Sequence, residues 1–173
     1  MTIKKILTEP DPFLRQKSSE VEQVTDETRK LMDDMLETMY DAPGIGLAAI
    51  QIGVPKRVIV IDLSRDEKKS PLYFVNPKII KKSDTDSTYE EGCLSVPGQF
   101  AEVDRPDKCH ISFLDYNGKK QELKAEGLLA TCIQHEMDHL EGILFIDYLS
   151  KLKKNLIVKK LSKQKKVLER IVV

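Results

Sequence analysis

The sequence predicts an α+β protein in which antiparallel or mixed β-strands pack around a central helix, with one N-terminal and one C-terminal helix. Three observations predict this class. Apolar residues recur at helical spacing before residue 41, β-rich runs fill the middle of the chain, and two further helical patterns follow residue 126. This grouping favours α+β over an alternating βαβ order. In a chain of 173 residues we expect one domain, 1–173, in which 150–173 is a basic helix.

The first helix is predicted from Asp26 to Tyr40, with Thr25 or Asp26 as its cap and Pro43 after its end. Its apolar stripe consists of Leu31, Met32, Met35, Leu36 and Met39. The next segment, 44–51, reads GIGLAAIQ. Because small residues let the backbone approach another group closely, we expect this segment to line a site or a packing seam.

Several runs rich in β-forming residues follow. Strands are predicted at 58–63, 72–75 and 78–80. A further strand at 109–115 alternates apolar and polar residues, so Cys109 is expected in the core and His110 on the exposed side. Asn117-Gly118 then predicts a two-residue hairpin turn into 121–125.

The helix predicted from Gly127 to Leu140 contains the string QHEMDH at 134–139. His135 and His139 are four residues apart, so both imidazoles project from one face and can hold one metal ion. Glu136 between them can act as a base on a water molecule at the metal. The alternative, two solvated histidines on an amphipathic helix, is weakened because the chain has three histidines and two fall in this motif. Gly142 is predicted to cap the helix end.

The last helix is predicted at about 149–171. Residues 151–173 contain nine Lys or Arg and one acid, so the segment carries a net charge of +8 in a chain whose formal net charge is zero. A basic tail on an acidic body suggests an anionic partner such as a ribonucleoprotein, and a solvated helix face is the equal alternative. Sequence-specific binding of nucleic acid is not expected.

Composition excludes some classes of protein. Hydrophobic residues make up 40% and charged residues 32%, as in ordinary globular proteins. No apolar run has the length that a bilayer requires, and residues 1–10 lack a secretory signal, so we expect an intracellular, cytoplasmic protein without a membrane partner. Three cysteines, an odd number, favour reduced thiols over a disulfide framework.

Two histidines leave a zinc-like ion short of ligands. The third ligand is either an acid downstream, such as Asp147, or a cysteine. Cys93 is the better placed, because the segment 91–98 is bounded by glycines and a proline that can present a thiolate rigidly. In the same segment the Leu94 amide can point into a cavity.

These segments resemble the three motifs of the peptide deformylase family: GIGLAAIQ at 44–51, EGCLS at 91–95 and QHEMDH at 134–139. The resemblance implies an enzyme that removes the N-formyl group from the formylmethionine of nascent polypeptides and releases formate. It implies the following roles: metal ligands Cys93, His135 and His139, general base and acid Glu136, and an oxyanion-stabilising pair formed by the Gln51 side chain and the Leu94 N–H. A water on the metal would attack the formyl carbonyl.

The donor set accepts Zn²⁺, Fe²⁺, Ni²⁺ or Co²⁺. The resemblance implies Fe²⁺ as the native ion, with the others as substitutes. Residues on the face of His135 and in the first motif are expected to wall a pocket for an unbranched apolar side chain, which the resemblance implies is methionine: Leu128, Thr131, Cys132, Gly44, Ile45 and Gly46. A small core residue is the alternative for Cys132. Glu91 is grouped with this pocket, and it is also expected to pair with Arg105, either in support of the ligands or on the surface.

Two other functions remain open from the sequence. One is a zincin-type endopeptidase, which the thiolate ligand disfavours. The other is a binding protein with a structural metal, whose basic helix docks on RNA or the ribosome. Deformylation and docking are compatible, and Lys151–Arg170 is expected to help ribosome association.

Overall fold

A computed structural model describes residues 1–65 and 68–171. The helices are α1 (Asp26–Asp41), α2 (Gly127–Leu140) and α3 (Lys151–Ile171). The strands are β1 (Gly46–Ala48), β2 (Val58–Ile61), β3 (Leu72–Lys82), β4 (Asp86–Cys93), β5 (Val96–Pro106), β6 (Lys108–Leu114) and β7 (Lys120–Glu126). This is the α+β class that the sequence predicts, with α2 as its central helix.

The larger sheet has the strand order β1-β2-β3-β6-β7, and all its pairs are antiparallel. The residues of β2 show that both faces of this sheet are covered. Val58 and Val60 pack with the methionines of α1, whereas Ile59 and Ile61 pack with α2 residues such as Ile133. Alternate residues of a strand point to opposite faces, so α1 and α2 lie on opposite sides of the sheet.

Helix α1 begins where the sequence predicts. The Thr25 side chain accepts a hydrogen bond from the Thr28 N–H, and the Thr28 hydroxyl accepts one from the Thr25 N–H. This reciprocal cap satisfies two backbone donors that the first turn leaves free. Met32, Met35 and Met39 are fully buried against the sheet.

The strands differ from the sequence prediction in three places. Residues 72–82 form one strand, because Pro77 interrupts the pairing with β6 only locally, with Asn76 at φ 50. The hairpin of β6 and β7 is confirmed, but five residues connect the strands, and the Asp115 carboxylate accepts hydrogen bonds from the N–H groups of Asn117 and Lys119. The hairpin of β4 and β5 was not predicted at all, since its strands are rich in charged residues.

Helix α3 starts at Lys151, two residues after the predicted start at 149, and residues 172–173 of the basic segment 150–173 lie outside the described part. Leu161 is its one buried residue, and it packs on Val96, Val103 and Phe145. Leu152, Leu156 and Leu168 are exposed. No helix within residues 1–65 and 68–171 has the length and apolar character needed to cross a membrane.

Candidate metal centre and active site

Helix α2 and the end of β4 bring a thiol and two imidazoles together. Cys93 Sγ lies 3.3 Å from His139 Nε2. One ligand atom each from Cys93, His135 and His139 falls within 4.8 Å of the others, and both histidines are buried. A tetrahedral ion with Zn–S and Zn–N bonds of ordinary length separates such donors by about 3.5 Å. The donor set therefore fits one divalent ion.

The acidic alternative for the third ligand, Asp147, is engaged elsewhere. Its carboxylate accepts a hydrogen bond from Arg15 at 2.6 Å and pairs with Lys154 at 2.8 Å. His110 lies on β6 and contacts Glu122 at 2.9 Å. Cys109 is buried in the core, as expected.

The Cys93 thiol is presented by a tight hairpin turn. Cys93 and Val96 pair across it, so Leu94 and Ser95 are the two central residues. In such a turn the N–H of the first central residue takes no part in the closing hydrogen bond. The Leu94 N–H therefore lies in the turn beside the thiol and is not used to close it.

The Gln51 side chain is fixed at both ends. Its Oε1 accepts a hydrogen bond from the Ala48 N–H at 2.9 Å, and its Nε2 donates to Ser95 Oγ at 2.9 Å. The same nitrogen makes a longer contact of 3.6 Å to Cys93 Sγ. Ser95 is fully buried, and no role was predicted for it although it stands in the second motif.

Cys93 and His135, two of the three candidate metal donors, border a cavity of about 540 Å³. All the residues predicted to form the pocket line it: Gly44, Ile45, Gly46, Glu91, Leu128, Thr131 and Cys132. Gln51, Cys93, Leu94, His135 and Glu136 line it as well. Cys132 also belongs to the core cluster, so both of its predicted environments apply.

Gly46 makes room for the Glu136 carboxylate. A Cβ atom at residue 46 would lie 2.6 Å from Glu136 Oε1, closer than van der Waals contact allows. Gly44 has a looser constraint, because its Cβ would meet the end of the flexible Leu94 side chain at 2.7 Å. The glycine at 46 is thus required by the position of the acid on the facing helix.

Glu136 is buried beside the cavity. Burial raises its pKa to about 7, although the positive charge of His135 opposes the shift. Its Oε2 has no hydrogen-bond partner among the described residues. A carboxyl group with a pKa near neutrality can both accept and return a proton.

Glu91 lies behind His135. Its Oε1 is 2.8 Å from His135 Nδ1, and Arg105 donates to both carboxylate oxygens, at 2.7 and 3.0 Å. Arg105 is buried, so the surface alternative for this pair is wrong. Because both oxygens are occupied, the Glu91 carboxylate is directed at His135 although the residue lines the cavity.

The two imidazoles differ in their electrostatics. Burial lowers the pKa of His135, but the Cys93 sulfur and the Glu91 carboxylate raise it further, to well above its ordinary value. Burial, together with the charge of His135, lowers the pKa of His139 well below its ordinary value. A ligand must be unprotonated at the coordinating nitrogen, so a cation here competes with a proton on His135.

Fold and site together define a class: an α+β protein with an HExxH helix, in which one cysteine and two histidines could hold a metal ion. The family described as polypeptide deformylase matches residues 3–155. The peptide deformylase of Pelagibacter ubique is 74% identical over 166 residues, covering 95% of this chain and 96% of that relative. The one from Rhizobium meliloti is 57% identical, with 96% of each covered.

Solved structures agree. The peptide deformylase of Ehrlichia chaffeensis superposes with a TM-score of 0.90 at 42% identity, covering 95% of this chain and 97% of that one. That of Legionella pneumophila gives a TM-score of 0.90 at 46% identity, covering 98% and 99%. The chain belongs to the polypeptide deformylase family, whose members are metal-dependent amide hydrolases.

Proposed function

We propose that this chain removes the N-formyl group from the N-terminal methionine of nascent polypeptides and releases formate, using a divalent ion held by Cys93, His135 and His139. The observation that carries this proposal is the convergence of the three donors, two of which, Cys93 and His135, line one cavity together with the buried Glu136. Fe²⁺ is the proposed native ion, and Zn²⁺, Ni²⁺ and Co²⁺ are substitutes that the same donors accept. When bound, the ion supplies a Lewis acid and acidifies a coordinated water.

Glu136 is the proposed general base and acid. It lies one residue from His135 and borders the cavity, and its raised pKa suits a group that first takes a proton from water and then gives it to the departing amine. An amide nitrogen leaves only after protonation, so this second transfer is needed. The same carboxyl group serves both.

Gln51 and the Leu94 N–H are the proposed donors to the carbonyl oxygen as it becomes negative. The amide of Gln51 is anchored through Ala48 and Ser95, so its orientation is set before substrate arrives. Because its contact with Cys93 Sγ is long, at 3.6 Å, the second N–H of Nε2 is available to the substrate oxygen without reorientation of the amide. Loss of one such donor typically costs about 2.7–4 kcal/mol of barrier.

The cavity wall beside the donors is proposed to bind the methionine side chain. Leu128, Cys132 and Ile45 give it an apolar lining, and an unbranched, flexible side chain suits a pocket of that kind. Glu91 is proposed to orient His135 through Nδ1 instead of touching substrate.

Helix α3 is proposed to help the enzyme associate with the ribosome in the cytoplasm, where nascent chains emerge. All its lysines except Lys154 are exposed, while Leu161 fixes the helix to the body. A +8 segment favours a phosphate-rich surface without reading its sequence.

Replacing Glu136 by Gln tests the proposed chemistry. We expect release of formate from formyl-Met-Ala-Ser to fall by about 10²–10⁴-fold, because both proton transfers are lost. Metal content should stay at the wild-type level. Glu126→Gln, at the exposed start of α2, is the matched control and should retain full activity.

Two results would contradict the proposal. One is a Glu136→Gln variant as active as wild type. The other is cleavage of internal bonds in unformylated casein by the wild-type protein at a rate comparable to formate release, which would favour the endopeptidase function.

A further inference from the structure

Hydrogen bonds continue from His135 past Glu91 and Arg105 to the far side of α2. Arg105 gives Nε and Nη2 to Glu91, and its Nη1 donates to Asp138 Oδ2 at 2.8 Å. The Tyr148 hydroxyl donates to the same Asp138 oxygen at 2.7 Å. A connected path thus leads from a proposed metal ligand to a half-exposed tyrosine.

We propose that Asp138 and Tyr148 are positioning residues for His135: they hold Arg105, and through it they hold the Glu91 carboxylate against the imidazole. The inference rests on the proposed metal site. It extends that site by two residues that touch neither the cation nor the substrate.

The burial of Arg105 makes Asp138 necessary. The guanidinium is 4% exposed, and Glu91 satisfies only two of its three nitrogens. Without the Asp138 carboxylate, Arg105 Nη1 loses its acidic partner, and Glu91 is then the one carboxylate that balances the charge of the guanidinium. A Glu91 carboxylate so neutralised accepts more weakly from His135 Nδ1, and the imidazole becomes a poorer electron donor at its other nitrogen.

Tyr148 supports this arrangement from the solvent side. Its ring centroid lies 4.8 Å from Arg105 Cζ, the geometry of a cation–π contact. Arg105, Asp138 and Tyr148 border a second cavity of about 490 Å³. This cavity shares no lining residue with the cavity of the proposed active site, although helix α2 contributes to both. The tyrosine therefore covers the guanidinium where water would otherwise compete for Asp138.

Tyr148 belongs to a short turn, Phe145–Tyr148, that also contacts the His135 ring directly. Phe145 and Tyr148 are the ends of a 3-10 turn, and the Phe145 ring stacks on the His135 ring with centroids 6.1 Å apart and planes at 25°. Asp147 ties this turn to Arg15. One four-residue turn thus contacts the imidazole by packing and, through Asp138, by hydrogen bonds.

Metal binding to the full-length protein tests the inference without any activity assay. Zn²⁺ affinity is measured by competition with a chromophoric chelator, and the visible absorption of Co²⁺ reports the geometry of the donors. We expect Asp138→Asn to weaken Zn²⁺ binding about tenfold, the lower end of the range for groups that contact a ligand directly, and to shift the Co²⁺ bands. Tyr148→Phe should have a smaller effect in the same direction, and the double variant should lose less than the two effects combined.

A second tyrosine–aspartate pair provides matched controls. Tyr116 donates to Asp33 at 3.1 Å on α1, which is on the other side of the sheet. Asp33→Asn and Tyr116→Phe should leave Zn²⁺ affinity and the Co²⁺ spectrum unchanged, even where they lower thermal stability.

The outcomes separate this inference from the proposed function. If wild type binds one Zn²⁺ and Asp138→Asn binds it equally well, or no worse than Asp33→Asn does, the positioning role is wrong and the metal site stands. If wild type and a Cys93→Ala variant bind Zn²⁺ alike, the metal site itself is wrong, and the inference fails with it.

Discussion

Helices α2 and α3 follow one another in the chain and differ in almost every physical respect. In α2 every residue from Ala130 to Leu140 except Asp138 is buried, including two histidines, a glutamine and a glutamate. In α3, Leu161 alone is buried along 21 residues. Buried polar groups are costly unless each is paired, so α2 depends on partners from other elements, whereas α3 depends on water and one anchor. Substitutions in α2 and in the residues that contact it should therefore change catalytic activity, whereas substitutions in α3 should change stability or docking.

The largest effect is expected where another element meets α2. Gly46→Ala places a methyl group where Glu136 Oε1 now lies, so the carboxylate must move. A displacement of about 1 Å can cost about 100-fold in rate, and we expect a loss of that order in kcat for formate release. Gly44→Ala, whose methyl meets only the movable end of Leu94, should lose much less. Equal activity of Gly46→Ala and wild type would show that the glycine is not needed for the acid.

Within α3 the contrast is between its anchor and its exposed face. Leu161→Ala removes the buried contact with Val96 and Phe145 and should destabilise the protein by about 2–5 kcal/mol in urea unfolding at matched metal loading. Leu156 is 59% exposed, and its replacement by Ala should change stability by less than about 0.5 kcal/mol. Similar values for the two variants would mean that α3 is not fixed through Leu161.

The smallest effect is expected for the ion pairs of Asp147, one of which is with Lys154 on α3. Burial raises the pKa of Asp147, but hydrogen bonds from Arg15 and Lys154 lower it further, to below its ordinary value of 3.8. A carboxyl group whose pKa is lower in the folded state stabilises the protein above that ordinary value, and the contribution disappears as pH falls through the folded pKa. Asp147→Asn should lower the free energy of unfolding by up to about 1 kcal/mol at pH 7. In urea unfolding of both proteins, this difference should shrink as the pH drops below about 4. A difference that is constant with pH would exclude the ion pairs as its source.

The same contrast explains which elements the sequence predicted well. Helices α1 and α2 and the hairpin of β6 and β7 have caps, periodicities or turn residues within a few positions of one another, so their signals are local. In β4 and β5 the alternation is hidden, because Glu91 and Arg105 are charged yet face inward. A pattern of apolar residues is a poor guide to strands whose buried positions include an ion pair. Strand β3 was predicted as two strands for a different reason. A proline within a strand pattern indicates a break, but here the sheet accommodates Pro77 as a local shift in register.

The candidate site divides in the same way. The pairing of His135 with His139 follows from helical spacing alone, and so does the place of Glu136 between them. Cys93 was favoured as the third ligand, and the Leu94 amide placed toward a cavity, from the glycines and proline around them, whereas the role of Gln51 was reached only through a resemblance. Nothing in the spacing of the motifs fixed the distances among these residues. Asp138 lies inside the third motif and Tyr148 shortly after it, but their bonds to Arg105 join α2 and a later turn to a strand far earlier in the chain.

The sequence by itself determined the chemical types of the donors, the helix that carries two of them and the small residues that the acid requires. Tertiary structure decided that Cys93 meets His139 across 46 residues, that Gly46 faces Glu136, and that Arg105 is shared between Glu91 and Asp138. The physical reason is range. Backbone periodicity relates residues within one or two turns, whereas distances between elements depend on how the sheet and helices pack around a common core.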